Sequence, residues 1–355
     1  MFINVIMQTY YFHLQTLPST YFYQSQSRPI GNKRMKKTQT NILPKYQKGQ
    51  INFFTGKVTS INQGLHFYNI TLQLQDKSDI NIKLEPQTKP PIQGKIYHFK
   101  TICLLKNEEL ILMNQTYNLA YNVLDMQTLY EIYLAFYECA PISFVIVKDE
   151  LENYLHKIKN KVLKQITYNL YCKNKNKFLI SKAALKIHHN YYGGLGYHTL
   201  TMLKMAESLL KIYPFLNSDL LFAGTILHDM EKIKELDLEQ KNYTPKGLLL
   251  GHLVMSACEI EKEAQLLGFQ DKEEVLLLKH MLISHHGLLE HGAAKRPQIG
   301  EALLLWYLDN IDCKLTSLQE FLQKTTTQTF TKPIPVLERK GFYKSLDLDQ
   351  NNDDE

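Results

Sequence analysis

The hydrophobic period of this chain changes partway along, and that change limits the fold more than any other feature. Tyr68, Ile70, Leu72 and Leu74 alternate with Asn69, Thr71, Gln73 and Gln75, the spacing of a strand with one buried face. Asp76-Lys77-Ser78-Asp79 is turn chemistry. Ile80, Ile82 and Leu84 then resume the alternation, so the pair predicts a hairpin. Strand-like runs also occupy residues 51–59, 95–105 and 109–114. Five short strands in so little chain predict a small closed barrel, with an OB-fold as the natural candidate; an SH3-like barrel reads much the same.

From Asp149 the spacing becomes helical. Leu151, Tyr154, Leu155, Ile158, Val162, Leu163, Ile166 and Leu170 recur at intervals of three and four, an amphipathic helix or helix pair. The polar run Lys173-Asn174-Lys175-Asn176-Lys177 is expected to break it. Beyond that, the chain reads as helical to about Lys324, with helix ends marked by Gly193-Gly194, Pro214, residues 243–247, Gly268 and Gly287.

The net charge of +6 sits in the tail: residues 1–50 take seven of the 41 basic residues and none of the 35 acidic ones. A nearly neutral body gives charge alone little weight as a sign of nucleic-acid binding. The first 34 residues are rich in aromatics, Gln and Ser, without a basic start followed by an apolar core, so a secretory signal is not expected. Met35 is an alternative start, and residues 1–44 are expected to be a disordered basic tail. No window approaches 18 apolar residues. Cys103, Cys139, Cys172, Cys258 and Cys313 lie far apart with no C-x-x-C pair, which predicts a reducing, cytoplasmic setting and no structural zinc.

Nine of the 13 histidines fall between His188 and His291. His198 stands near the start of one expected helix and His228-Asp229 at the end of the next. His252 opens a third, and His285-His286 closes a fourth. Asp309 ends the apolar run of a fifth. Leu278, Met281 and Leu282 precede His285 by seven, four and three positions, which puts His285 on their apolar face. A buried carboxylate is costly unless paired or bound to a cation. Imidazoles and carboxylates converging from several helices are what a metal site needs, and that donor mixture suits Mn, Fe, Zn or Ni better than Mg. Any single histidine is more often a core or surface residue than a ligand, and His280 and His291 are read that way. The two adjacent pairs carry the most weight.

The order H…HD…H…HH…D resembles the HD-domain metal-dependent phosphohydrolase superfamily. The flanking sequence narrows the resemblance to the YhaM-type 3′→5′ exoribonucleases. It is carried by Lys182-Ala183-Ala184, by the run from His188-His189-Asn190 through Gly193-Gly194-Leu195 to Tyr197-His198-Thr199, by residues 220–229, and by Ile283-Ser284-His285-His286-Gly287. It is strong over 180–315 and weak before. The implied fold class is multidomain α+β: a small N-terminal OB-like β-barrel followed by an all-α HD domain. The expected division is barrel at 45–120, helical connector at 121–180, HD domain at 181–325 and C-terminal extension at 326–355.

The resemblance implies a hydrolytic site with one or two divalent ions, Mn²⁺ first, with Mg²⁺, Fe²⁺, Co²⁺ or Ni²⁺ as alternatives. His198, His228, Asp229 and Asp309 would hold the first ion. His252, His285 and His286 would hold the second, with Asp229 bridging. Asp229 and Lys232 would be the catalytic residues, Lys232 facing the phosphate; a solvated helix-end lysine is the plain alternative. The family usually has Gly where this chain has Glu231, and a carboxylate there could add a ligand, repel phosphate or point to solvent. The barrel would hold single-stranded RNA, with single-stranded DNA as a further candidate, by stacking and backbone charge. Phe53, Phe67, Tyr68 and Phe99 are the candidate platforms, with Tyr97 and Phe54 beside them, and Arg339 and Lys344 are candidate basic contacts. Gly193-Gly194-Leu195-Gly196 reads more readily as a tight turn than as a phosphate cradle. No membrane partner is expected, and a homo-oligomer is open. Two other readings stand beside the exoribonuclease: a nucleotide or cyclic-nucleotide phosphohydrolase, and a non-catalytic nucleic-acid-binding protein with a structural metal.

Overall fold

In the computed structural model, residues 46–185, 189–238 and 242–346 are described. The expected tail at 1–44, the alternative start at Met35, and His188 lie outside them. Strands β1 (Ile51–Gln63), β2 (Tyr68–Gln73), β3 (Asp79–Leu84), β4 (Ile96–Lys106) and β5 (Glu109–Leu119) close into a barrel in the order β1-β2-β3-β5-β4. Only β3 and β5 pair in parallel, Ile82 beside Leu112. This is the OB-like barrel that the alternation suggested. The hairpin turn forms because Ser78 N–H donates to the Asp76 carboxylate and Leu74 N–H to Ser78 O. Ile70, Leu72, Ile82 and Leu84 point inward and are fully buried with Val58 and Phe99. Each such side chain contributes roughly 1.5–3 kcal/mol on burial.

The helices follow. They are α1 (Met126–Phe136), α2 (Phe144–Lys157), α3 (Lys161–Ile180), α4 (Gly194–Ile212), α5 (Ser218–Leu227) and the short α6 (Lys232–Glu235). A two-strand turn, β6 (Leu236–Asp237) with β7 (Asn242–Tyr243), interrupts the region expected to be all helix. Then come α7 (Pro245–Leu267), α8 (Glu273–Ser284) and α9 (Gly300–Gln323). Side chains of Asp125, Ser143, Asn160, Asn217 and Thr244 cap five of these helices, and Gly268 ends α7 in a left-handed conformation.

The run Lys173–Lys177 does not break α3, contrary to expectation. Asn174 donates to Leu170 O one turn back, Lys173 pairs with Glu259, Lys175 with Glu152, and Lys177 donates to Ile233 O. Partners on α2, α6 and α7 therefore override weak local propensity. One apolar core joins α1–α5 with α7–α9, and the histidine-bearing helix ends meet within it. No helix among the described residues is long and apolar enough to cross a membrane.

Candidate metal centre

Asp229 is the centre of the site. It follows the C-cap residue of α5, is 2% exposed, and neither carboxylate oxygen accepts a well-angled hydrogen bond from a described residue. Its two oxygens face different imidazoles. Oδ1 lies 3.2 Å from His252 Nε2 and 3.8 Å from His285 Nε2. Oδ2 lies 3.3 Å from His228 Nε2, 3.8 Å from His198 Nε2 and 2.6 Å from Lys232 Nζ. Asp309 joins the second side, with Oδ1 3.4 Å from His198 Nε2. His286 completes the first, its ring centroid 4.5 Å from that of His285 and 5.1 Å from that of His252.

Every one of these five rings is turned the same way. Nδ1 of His198 donates to Asp312 at 2.6 Å, and Nδ1 of His252 to Glu235 at 2.8 Å. Nδ1 of His228, His285 and His286 donates to the carbonyls of Thr225, Leu282 and His291 at 2.8, 2.7 and 2.9 Å. Carbonyls and carboxylates only accept, so each ring's proton is committed to Nδ1 and a neutral ring presents a bare lone pair at Nε2. The Nε2 atoms of His198 and His228 then face each other at 3.3 Å. Those of His252 and His285 are buried without a hydrogen-bond partner.

This arrangement fits a metal. Buried lone pairs aimed at one another and at a buried carboxylate are costly unless a cation sits among them, and Lys232 reaches only Oδ2 of Asp229. Neighbouring ligands held about 2.0–2.2 Å from one ion lie roughly 3–3.6 Å apart, close to the separations measured here. Among the described residues three groups of donors lie close enough to share an ion: His198, His228 and Asp229; His252, His285 and His286; and His189, His198 and Asp312, where the Asp312 carboxylate already accepts from both rings at 2.6 Å. Asp309 lies beside the first group.

Local sequence explains the positions. His228 and His285 are the C-cap residues of α5 and α8, where the last turn offers its carbonyls to Nδ1. Gly251 interrupts α7 at φ +69° and ψ 159°, a conformation essentially confined to glycine. The break frees the His252 N–H, which donates to Glu235 Oε1 at 3.2 Å while Oε2 accepts from the ring. Glu235 thus clamps His252 twice. Asp312 does comparable work on α9, where it also accepts from His189 Nε2 at 2.6 Å; His189 Nδ1 in turn lies 2.7 Å from the Tyr191 hydroxyl.

Burial opposes charge throughout, and the neighbours decide the outcome. Burial pushes Asp229 up, but Lys232 and His228 hold it well below the usual carboxylate range. Burial pushes His198 down, yet the carboxylates of Asp309 beside Nε2 and Asp312 at Nδ1 raise it to about 10, so a cation at Nε2 takes the place of a second proton there. His252 is raised against burial by Asp229 and Glu235. Burial lowers His285 and His286, and the other histidines add to it. Lys232 is raised against burial by Asp229 and Asp309.

The structure brings together all eight residues expected at the site: His198, His228, Asp229, Lys232, His252, His285, His286 and Asp309. Glu231 does not take the solvent-facing role considered for it. It is 2% exposed, so it does not point to solvent, and its carboxylate pairs with Lys234 at 2.8 Å beside Lys173 and Glu259. Its φ of −76° and ψ of −5° need no glycine. Sequence reasoning missed Glu235, Asp312 and His189. The signal for Asp312 was its place three residues after Asp309 on one helix; Glu235 carried none. His280 takes a structural part, its Nε2 accepting from Gln298 N–H.

The expected stacking platforms divide. Phe99 is fully buried among Tyr97, Tyr117 and the barrel core, so it offers no face to a base. Tyr97, considered beside it, is 5% exposed. Phe53 is 60% exposed and stacks on His98 with planes 14° apart. Phe67 lies under Lys106, and Tyr68 packs half-buried on the barrel core. Arg339 is exposed, whereas Lys344 donates to Thr325 O. Gly193 caps α4 at φ +79°, and a Cβ there would lie 2.5 Å from Phe144; the glycine cluster is a packing turn.

The family model for the HD domain matches residues 195–313. The 3′-5′ exoribonuclease YhaM of Bacillus subtilis (strain 168) is 36% identical over 288 residues, covering 78% of this chain and 88% of that protein. The protein of the same name from Geobacillus sp. (strain WCH70) is 36% identical over 290 residues, covering 78% and 86%. That from Bacillus pumilus (strain SAFR-032) is 35% identical over 288 residues, covering 78% and 88%.

Proposed function

We propose a function from one premise: the chain belongs to the family of YhaM 3′-5′ exoribonucleases and carries their HD domain. It is an enzyme, a nuclease of the hydrolase class. In our reading it degrades single-stranded RNA from the 3′ end to nucleoside 5′-monophosphates, with single-stranded DNA as a second substrate. The observation that carries the chemistry is the division of Asp229, whose two oxygens each face a separate set of Nε2 atoms.

In this reading His198, His228, Asp229 and Asp309 would hold one ion, and His252, His285 and His286, together with Asp229, would hold a second. Mn²⁺ suits this mixture of imidazole and carboxylate better than Mg²⁺, which takes mostly oxygen. Bound there, divalent ions supply Lewis acidity to the scissile phosphate and to the attacking water. The protein's own groups do the rest. Asp312 and Glu235 keep the His198 and His252 rings aimed inward. Asp309 and Lys232, 22% and 17% exposed, mark the mouth, while Asp229, His228 and His285 form the closed wall. A phosphate entering there meets the Lys232 ammonium, which neutralises charge developing on its oxygens. Residues 45–120 serve as the strand-binding barrel, with Phe53, Phe67 and Tyr68 as stacking faces. Residues 121–180 are the connector, 181–325 the catalytic domain and 326–355 an extension in which Arg339 and Lys344 offer charge.

Product analysis tests this. Single-stranded RNA incubated with the protein and Mn²⁺ is expected to yield nucleoside 5′-monophosphates by mass spectrometry, with free and cyclic nucleotides left intact. Hydrolysis of free or cyclic nucleotides with RNA untouched would replace the exonuclease by a small-molecule phosphohydrolase.

A further inference from the structure

After α9 the chain folds back on itself as a hairpin. Gln328 and Thr331 N–H donate to the carbonyls of Lys344 and Phe342 at 2.8 Å each, and Lys344 N–H donates to Thr329 O at 2.9 Å. Ile334 N–H donates to Lys340 O at 3.0 Å. A Cβ at Gly341 would lie 2.9 Å from Thr331 O, so glycine lets the two arms close. The turn between the arms, Pro335–Leu337, packs on α9, and Ile334 beside it is fully buried. Glu338 and Arg339 take the left-handed conformation at φ +54° and +56° and reverse the chain. Lys340 foremost, with Lys314 of α9, holds the Glu338 carboxyl below its usual range. Lys314 precedes Lys324 by ten residues, about 15 Å of helix. The turn therefore lies back along α9, the helix that carries Asp309, and not beyond its end.

The hairpin keeps its aromatic pair outside. Phe330 and Tyr343 stand opposite each other on the two arms, with centroids 5.3 Å apart, and are 68% and 52% exposed. Large apolar rings held in solvent by an ordered frame and rimmed by polar residues mark a contact surface. The charge around them has one sign. Over 324–346 the chain carries Lys324, Lys332, Arg339, Lys340 and Lys344 against Glu338, and Glu338 pairs with Lys340 at 2.6 Å. Lys332 and Arg339 are exposed and enter no ion pair among the described residues. The acids of residues 347–355 follow in sequence and lie outside the described residues.

We propose that this hairpin is a contact for single-stranded RNA apart from the barrel: Phe330 and Tyr343 stack on bases, and Lys332 and Arg339 meet the phosphates beside them. The proposal rests on the RNA-degrading function given above. An exposed ring offers its face to any base, and flanking cations neutralise the backbone without reading sequence. Excess positive charge around the rings favours a polyanion over a protein surface of mixed sign. Unpaired bases suit the rings, because the bases of a duplex are already stacked on one another.

The test separates the hairpin from the function. Initial rates of 3′-end shortening of a single-stranded RNA are measured with Mn²⁺ over a range of RNA concentration and salt. Phe330→Ala and Tyr343→Ala are each expected to raise KM about five- to tenfold, the usual worth of one stacked base. Their kcat is expected to stay within about twofold, since the contact is the same before and during the reaction, and their salt dependence is expected to stay unchanged. Tyr343→Phe keeps the ring and is expected to match the unaltered protein. Lys332→Gln and Arg339→Gln are expected to raise KM and to flatten its salt dependence by about 0.7 in log–log slope each. A chain ending at Leu346 sheds the acids after it and is expected to lower KM. Phe215→Ala removes an exposed ring between α4 and α5 and is expected to change nothing. Melting temperatures report that the variants are folded. Folded Phe330 and Tyr343 variants with the KM of the unaltered protein would overturn the hairpin contact and leave the nuclease standing. Failure of the unaltered protein to shorten RNA would instead strike the proposed function, and the contact with it.

Discussion

Asp312 and Glu235 touch no substrate in this account, yet each fixes a ring that must aim Nε2 inward. Carboxylates behind ligating histidines set tautomer and orientation, and losing one typically costs 10–100-fold in metal affinity. Asp312→Ala is accordingly expected to weaken Mn²⁺ binding by about that range in calorimetric titration, with near-normal helical content; unchanged affinity would mean that His198 needs no support. Glu231 is the opposite case. Its backbone is ordinary, and its carboxylate pairs with Lys234. Glu231→Gly is expected to lower stability by about 1 kcal/mol, from glycine's extra chain entropy and a lost ion pair, and to leave hydrolysis within about twofold. A large change in turnover would place Glu231 in the reaction. The ligand residues were legible because histidine and aspartate stood on apolar faces at helix ends. Glu235 was not, because its role depends on a break in a helix that follows it in sequence.

At the scale of the element, α7 is two helical segments joined at Gly251, and that joint presents His252 to Glu235. Gly251→Ala forces a side chain into a backbone region that only glycine occupies readily, at a cost of about 1–3 kcal/mol. The expected result is a lower melting temperature together with weaker metal binding, because a straightened α7 returns the His252 N–H to the helix ladder. A variant with wild-type metal affinity would show that the joint is incidental. The barrel strands were legible from alternation, since one face of each is buried in the core. Phe99 was misassigned because aromatic character was read without its parity. It shares a face with Tyr97, two residues before it, and that face points inward. Continuity of α3 through its Lys–Asn run was invisible for a different reason: the groups that hold it lie on α2, α6 and α7.

For the whole molecule, the change of hydrophobic period divided barrel from helices. The metal centre spans the fold, gathering α4, α5, α7, α8 and α9 around one carboxylate. A ligand that binds only the folded state stabilises it. Chelation by EDTA is therefore expected to lower the melting temperature by several degrees, and Mn²⁺ to restore it; no shift in either direction would remove the metal from the fold's stability. The central claim joins this centre to RNA, and one gel tests it most directly. A 5′-end-labelled single-stranded RNA is incubated with Mn²⁺ and either the unaltered protein or Asp229→Ala. The account predicts a ladder shortening from the 3′ end with the former and full-length RNA with the latter. Intact RNA in both lanes, or the same ladder in both, would contradict it.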